Sequence, residues 1–225
     1  MKYFDKDFLQ FFKDLAANND RDWFLANKKR YEKSVKKAME IFVADLITEI
    51  RKDDKTLAIK PSDAIFRINR DIRFSKDKTP YKLNASAVVG PGGRKGMSAA
   101  GIYVELGPEK LGMASGIYSP DKDTLQKVRT VISQDPKGFM KVLADKKFKS
   151  VWGELQGEKN KILPPEFKAV AEDCPHIYNK QFYYWVELDP KLVESDKLMK
   201  IVMEHYNAAK AVNDFLSRSI KKKLK

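Results

Sequence analysis

The sequence predicts an α+β fold for this 225-residue chain, and three observations carry that expectation. Apolar residues recur at helical spacing through the N-terminal third, change to period two after Pro61, and return to helical spacing toward the C-terminus. The architecture this implies is an N-terminal helical hairpin, a largely antiparallel central sheet, and C-terminal helices packing on it. No composition shift or Ser/Gly linker divides the chain, so residues 1–225 are expected to form a single domain, with 221–225 as a frayed basic tail.

Asp5 or Asp7 opens a first helix carrying Phe8, Leu9, Phe11, Phe12 and Leu15, and Asn18-Asn19-Asp20 closes it and caps the next. A longer second helix is read from Trp23, Tyr31, Val35, Ala38, Phe42, Leu46 and Ile50, which share one stripe while Lys29, Lys33, Lys36 and Lys37 lie mainly away from it. Strands are expected over the arginine-rich segment 66–74, then Ala85–Val89, Gly101–Leu106 and Leu111–Tyr118, with short connections favouring antiparallel pairing. The connection Gly90 to Gly96, GPGGRKG, reads as a hairpin loop, because its glycines supply the backbone angles of tight turns. It lacks the terminal Gly-Lys-Ser/Thr of a phosphate loop, and the flanking strands argue against a KH-type loop.

Ser119-Pro120-Asp121 is read as a helix start with a capping hydroxyl, and Leu125, Val128, Val131 and Ile132 as the apolar face behind it. A short helix follows Asp135-Pro136, and Phe182–Leu188 is aromatic and β-branched enough for another strand. From Asp196, the seam Leu198, Val202, His205, Ala209, Val212, Leu216 marks a closing helix.

Composition narrows the classes of function. Net charge is +13, from 44 basic against 31 acidic residues, and the resulting field attracts anionic partners without naming one. The first residues, MKYFDKDFLQFF, are interrupted by Asp5, Lys6 and Asp7 and do not read as a signal peptide, and no window resembles a membrane span. A cytoplasmic location with no membrane partner is therefore expected. The one cysteine, Cys174, suits a reducing compartment and reads as an ordinary thiol. His176, His205 and Cys174 are too few nitrogen and sulfur ligands for structural zinc, so no metal site is expected, and His205 reads as a hydrogen-bonded core histidine.

The most distinctive stretch is FRINRDIRFSKDKTPYK, Phe66 to Lys82, with six cationic and two anionic side chains. As a strand it would place Phe66, Ile68, Ile72 and Phe74 on one face and Arg67, Asn69, Asp71 and Arg73 on the other, with alternate residues roughly 6.5–7 Å apart. Arginine forks so arranged converge on a multivalent anion or lock into ion pairs. Arg70 interrupts the apolar face and must be paired, snorkel to an edge, or serve a ligand. Arg67, Asn69, Arg70, Arg73, Ser75, Lys78 and Lys82 are the candidate anion-binding residues, with Arg94 and Lys95 of the glycine loop as a candidate lid. Asp71 is the candidate for a catalytic or orienting carboxylate, because neighbouring cations favour its ionised form and make it a poor general acid. The structural alternative pairs Asp71 with Arg67 or Arg73, and Asp77 with Arg70.

Taken with Asn19-Asp20-Arg21-Asp22-Trp23-Phe24 and Gly90-Pro91-Gly92-Gly93-Arg94-Lys95, the Phe66 to Lys82 motif resembles a bacterial family of conserved hypothetical proteins, domain of unknown function 2461. The resemblance spans nearly the whole chain. It implies shared architecture and transfers no activity, substrate or cofactor. Relatives are expected to be richer in glycine around Met113-Ala114-Ser115-Gly116.

The leading functional expectation is binding of a phosphorylated or carboxylated small molecule by the arginine segment and its following loop, with no reaction or cofactor named by the sequence. Two alternatives stand beside it. One is a nonspecific nucleic-acid-binding module built on the lysine-rich second helix, the glycine loop and the tail. The other is a noncatalytic scaffold docking an acidic protein partner.

Overall fold

The computed structural model describes residues 1–218, and the basic run 221–225 lies outside them. Helix α1 (Lys6–Ala17) starts where the Asp5 carboxylate accepts from the Phe8 amide at 3.2 Å, and α2 (Arg21–Ala26) starts where Asp20 accepts from Trp23 at 2.9 Å. The expected single second helix is corrected. It breaks after α2 at Asn27, resumes as the turn α3 (Lys28–Arg30), widens into a π-helical segment Tyr31–Lys36, and continues as α4 (Lys37–Asp53). The Asn27 amide donates to the Trp23 carbonyl at 3.0 Å, a local bond that competes with helix continuation. A short α5 (Pro61–Ala64) follows.

Four strands, β1 (Ala85–Val89), β2 (Gly101–Leu106), β3 (Leu111–Ile117) and β4 (Phe182–Leu188), form an antiparallel sheet in the order β1-β2-β3-β4. The fold is therefore α+β, as expected. The connection from β1 to β2 contains a 3-10 turn, Gly93–Lys95, preceded by Gly92 at a φ of 76°, where a side chain would be strained.

Segment 66–74 is not a strand. It touches its neighbours through two isolated antiparallel bridges, Ile65 with Ala87 and Asn69 with Tyr81. Between these bridges the first chain advances four residues while the second recedes six, so the register slips opposite Arg67 and no continuous ladder forms. The apolar face expected of a strand breaks up accordingly: Ile68 is buried, Phe66 and Ile72 are half-buried, and Phe74 is exposed.

Helix α6 (Lys122–Gln134) begins two residues later than Ser119 would place it. Its cap is the Asp121 carboxylate, which accepts from Thr124 at 2.7 Å, while the Ser119 carbonyl accepts from the Ser98 hydroxyl. Pro136 opens α7 (Pro136–Leu143) behind Asp135 as expected, and α8 (Lys146–Trp152), capped by Asp145, is an element the sequence reading lacks. Helix α9 (Leu198–Ser217) closes the described chain. Among the described residues no helix is long and apolar enough to cross a membrane.

The chain packs as two compact units. The first comprises Met1–Val89, Tyr103–Met113 and Glu187–Val202, and its core gathers Phe8, Phe11, Phe12, Phe42, Leu46 and Val104. The second comprises Gly90–Ile102, Ala114–Val186 and the chain from Met203 onward, with Ile132, Phe139, Trp152, Phe182, Tyr184 and Phe215 buried.

Candidate functional site

In the first unit, the segment from Phe66 to Lys82 is a braced loop. Its base is a short two-chain ladder, in which the Arg70 amide donates to the Pro80 carbonyl at 2.9 Å and the Lys82 amide to the Ile68 carbonyl at 2.8 Å. A second motif holds that base in place. The Asn19 side chain brackets Tyr81, donating to its carbonyl at 3.0 Å and accepting from its amide at 3.1 Å. One carboxamide thereby satisfies both main-chain groups of a buried residue, as a paired strand would. The Phe24 ring stacks on the Tyr81 ring at 4.1 Å, so the Asn19 to Phe24 motif cradles one end of the basic loop.

Arginine chemistry divides three ways across this loop. Arg70, with a side chain 26% exposed, turns its Nη1 inward to the Asp77 carboxylate and to the carbonyl and hydroxyl of Thr79, with Ser75 Oγ 3.5 Å from Nη2. Arg73 is 76% exposed and its fork is taken by Asp71, at 3.0 Å to Nε and 2.7 Å to Nη2. Arg67 is exposed, and its side chain makes no hydrogen bond or ion pair among the described residues. The two pairs of the structural alternative, Asp71 with Arg73 and Asp77 with Arg70, are both present. The guanidinium groups thus hold three separate assignments.

Both carboxylates are held as anions. Asp71 is pulled down to about 2, first by the Arg73 fork and then by the Arg73 amide. Asp77 is likewise lowered to about 2, chiefly by the Thr79 amide it accepts at 2.9 Å and then by Arg70. Stabilising the anion this far weakens Asp71 as a proton acceptor and suits it to orienting Arg73. Lys78 is exposed and ties the loop across, its Nζ donating to the Ile72 carbonyl at 2.9 Å. Asn69 is exposed and Ser75 half-buried.

Lys82 is the unusual cation. It is half-buried, its Nζ lies 5.2 Å from the centre of the Phe66 ring, and its pKa is lowered, first by burial and then by the positive charge of Arg67. Glu105 offsets this in part. Among the described residues neither Arg67 nor Lys82 makes a salt bridge, although the Arg67 charge also helps to lower Asp71. A cavity of about 20 Å³ lies among Phe12, Tyr31, Val35, Met39, Phe66 and Ile68, lined in part by the π-helical segment. That volume is room for about one water molecule.

Arg94 and Lys95 belong to the second unit, on the 3-10 turn Gly93–Lys95; Arg94 is half-buried and Lys95 exposed. In that unit Cys174 is fully buried, and burial raises its pKa, which removes thiolate character. His176 is half-buried and shifted downward by burial, with Nδ1 lacking a partner, and the His205 ring meets Trp152 edge-on at 5.2 Å. Among the described residues no group of three or more His, Cys, Asp or Glu comes together to hold a metal ion.

The sequence reading missed Arg129, which is only 3% exposed. It donates to the carbonyls of Ile177 at 3.0 Å and Asn179 at 3.1 Å, pinning the 3-10 turn Pro175–Tyr178 against α6. Its place between Val128 and Ile132 on the apolar face was the available signal. Also missed is a buried polar chain in which Tyr184 Oη donates to Asn213 at 2.6 Å, Asn213 to Ser115 at 2.9 Å, and Ser115 to the Gly101 carbonyl at 2.7 Å.

The family model described as conserved hypothetical protein, DUF2461, matches residues 7–215, and the chain belongs to that family. No curated protein and no solved structure matches it significantly.

Proposed function

We propose that this DUF2461 protein is a cytoplasmic binder of a phosphorylated or carboxylated small molecule, seated at Arg67 and Lys82 with Asn69 at the rim. One observation carries the reading: Lys82 is half-buried with its pKa lowered, first by burial and then by the positive charge of Arg67, while Arg67 itself makes no hydrogen bond or ion pair among the described residues. A dianion between them replaces repulsion with attraction and offers the Arg67 fork a two-oxygen partner. Arg73 and Arg70, engaged by Asp71 and Asp77, act as the frame of the site.

The test uses inorganic phosphate and citrate as probes, read by thermal denaturation and calorimetry at constant ionic strength. Wild type should gain thermal stability with phosphate, and Arg67→Ala should lose that gain while its midpoint without phosphate stays within about 1 °C, as expected of an exposed, unpaired side chain. Equal stabilisation of Arg67→Ala and wild type would overturn the reading.

A further inference from the structure

Among the described residues the most exposed large apolar side chain is Phe74, at 96%. A phenyl ring left in water forgoes about 1.5–3 kcal/mol of burial. The loop that carries it is fastened on both sides, by Arg70 to Asp77 and Thr79 and by Lys78 to the Ile72 carbonyl. Phe74 therefore stands on a braced tip. The Arg73 guanidinium, paired with Asp71, lies 5.9 Å from the ring centre, and Lys76 and Lys78, two and four residues further along the loop, are exposed. The two acids of the loop, Asp71 and Asp77, are each occupied by an arginine.

We propose that the loop from Arg70 to Pro80 is a finger for single-stranded nucleic acid, with Phe74 stacking on a base and Lys76 and Lys78 meeting the flanking phosphates. The partner must offer a flat π-face and negative charge within one side-chain length of each other, and a nucleotide does both. A lipid surface fits less well. Interfacial anchoring draws on a contiguous apolar area, whereas Phe74 sits between the exposed Arg73 and the half-buried, polar Ser75. An acidic protein surface would supply charge but has no inherent need for an isolated ring at the tip. The finger draws its contacts from Phe74, Lys76 and Lys78 and calls on neither Arg67 nor Lys82.

The experiment is fluorescence anisotropy of the full chain with a labelled oligothymidylate about 12 nucleotides long, with salt stepped from about 50 to about 200 mM. Wild type should bind, with affinity falling as salt rises. Phe74→Ala should weaken binding by about 5- to 100-fold with the salt slope preserved, and Phe74→Trp should retain it, since stacking is the lost term. Lys76→Ala should instead lower the salt slope by about 1. Neither variant should alter phosphate stabilisation at Arg67. No oligonucleotide binding by wild type, equal binding by Phe74→Ala, or Phe74-dependent binding to anionic phospholipid vesicles or an acidic polypeptide in place of the oligonucleotide would each overturn the proposal.

Discussion

Arg70 shows how much one side chain settles in this molecule. A cation on the core side of an apolar row has to be paired, reach an edge or meet a ligand, and here the pairing is internal: Asp77 and Thr79 surround Nη1. The consequence is measurable as a titration. Asp77 has its folded pKa depressed below the ordinary 3.8 to about 2, so its contribution to loop order is fully present above about pH 4 and is lost as pH falls through about 2. Carboxyl-carbon NMR should find that midpoint near 2 in wild type and higher in Arg70→Ala, yet still below 3.8, because the Thr79 amide, the larger cause, remains. A wild-type midpoint already near 3.8 would mean that the clamp is absent in solution.

Elements show a second kind of constraint, the close approach of two backbones. Gly116, near the end of β3, has a φ of 98°, and a Cβ built there would collide with the Phe182 carbonyl at the start of β4. Gly116→Ala should therefore destabilise by about 1–3 kcal/mol or more, combining left-handed strain with displacement of the neighbouring strand. Urea denaturation checks this, and a loss below about 0.5 kcal/mol, ordinary for a surface change, would show that the strands part without cost. Glycine at position 116 thus has a packing reason independent of any ligand. Helix α6 teaches a related point, since its start moved from Ser119 to Asp121 because the Asp121 carboxylate reaches the Thr124 amide.

The whole molecule is governed by its charge. A net charge of +13 repels itself in the folded state, where like charges are brought closer than in an extended chain. Screening should relieve this, so the thermal midpoint should rise as sodium chloride increases from about 10 to about 150 mM, where the Debye length shortens from about 30 to about 8 Å. A midpoint that is flat or falls over that range would indicate that local ion pairs such as Arg30 with Asp7 and Asp14 outweigh the net repulsion. Phosphate should add its own increment at matched ionic strength, separating site binding from general screening.

What sequence alone determined is local: the helix starts at Asp20 and Asp135, the first helix start to within Asp5 or Asp7, the strands from Ala85, Gly101, Leu111 and Phe182, and the concentration of cations between Phe66 and Lys82. Each follows from residues within a turn or two of one another, where capping bonds and side-chain period operate. Tertiary structure decided the rest. The register slip opposite Arg67 that prevents a strand, the clasp of Asn19 and Phe24 on Tyr81, and the burial of Arg129 against the carbonyls of Ile177 and Asn179 all join residues distant in sequence. Period-two alternation states which side chains would share a face if the backbone were extended. Whether it is extended depends on the partner chain's register, and that is set by packing across the fold.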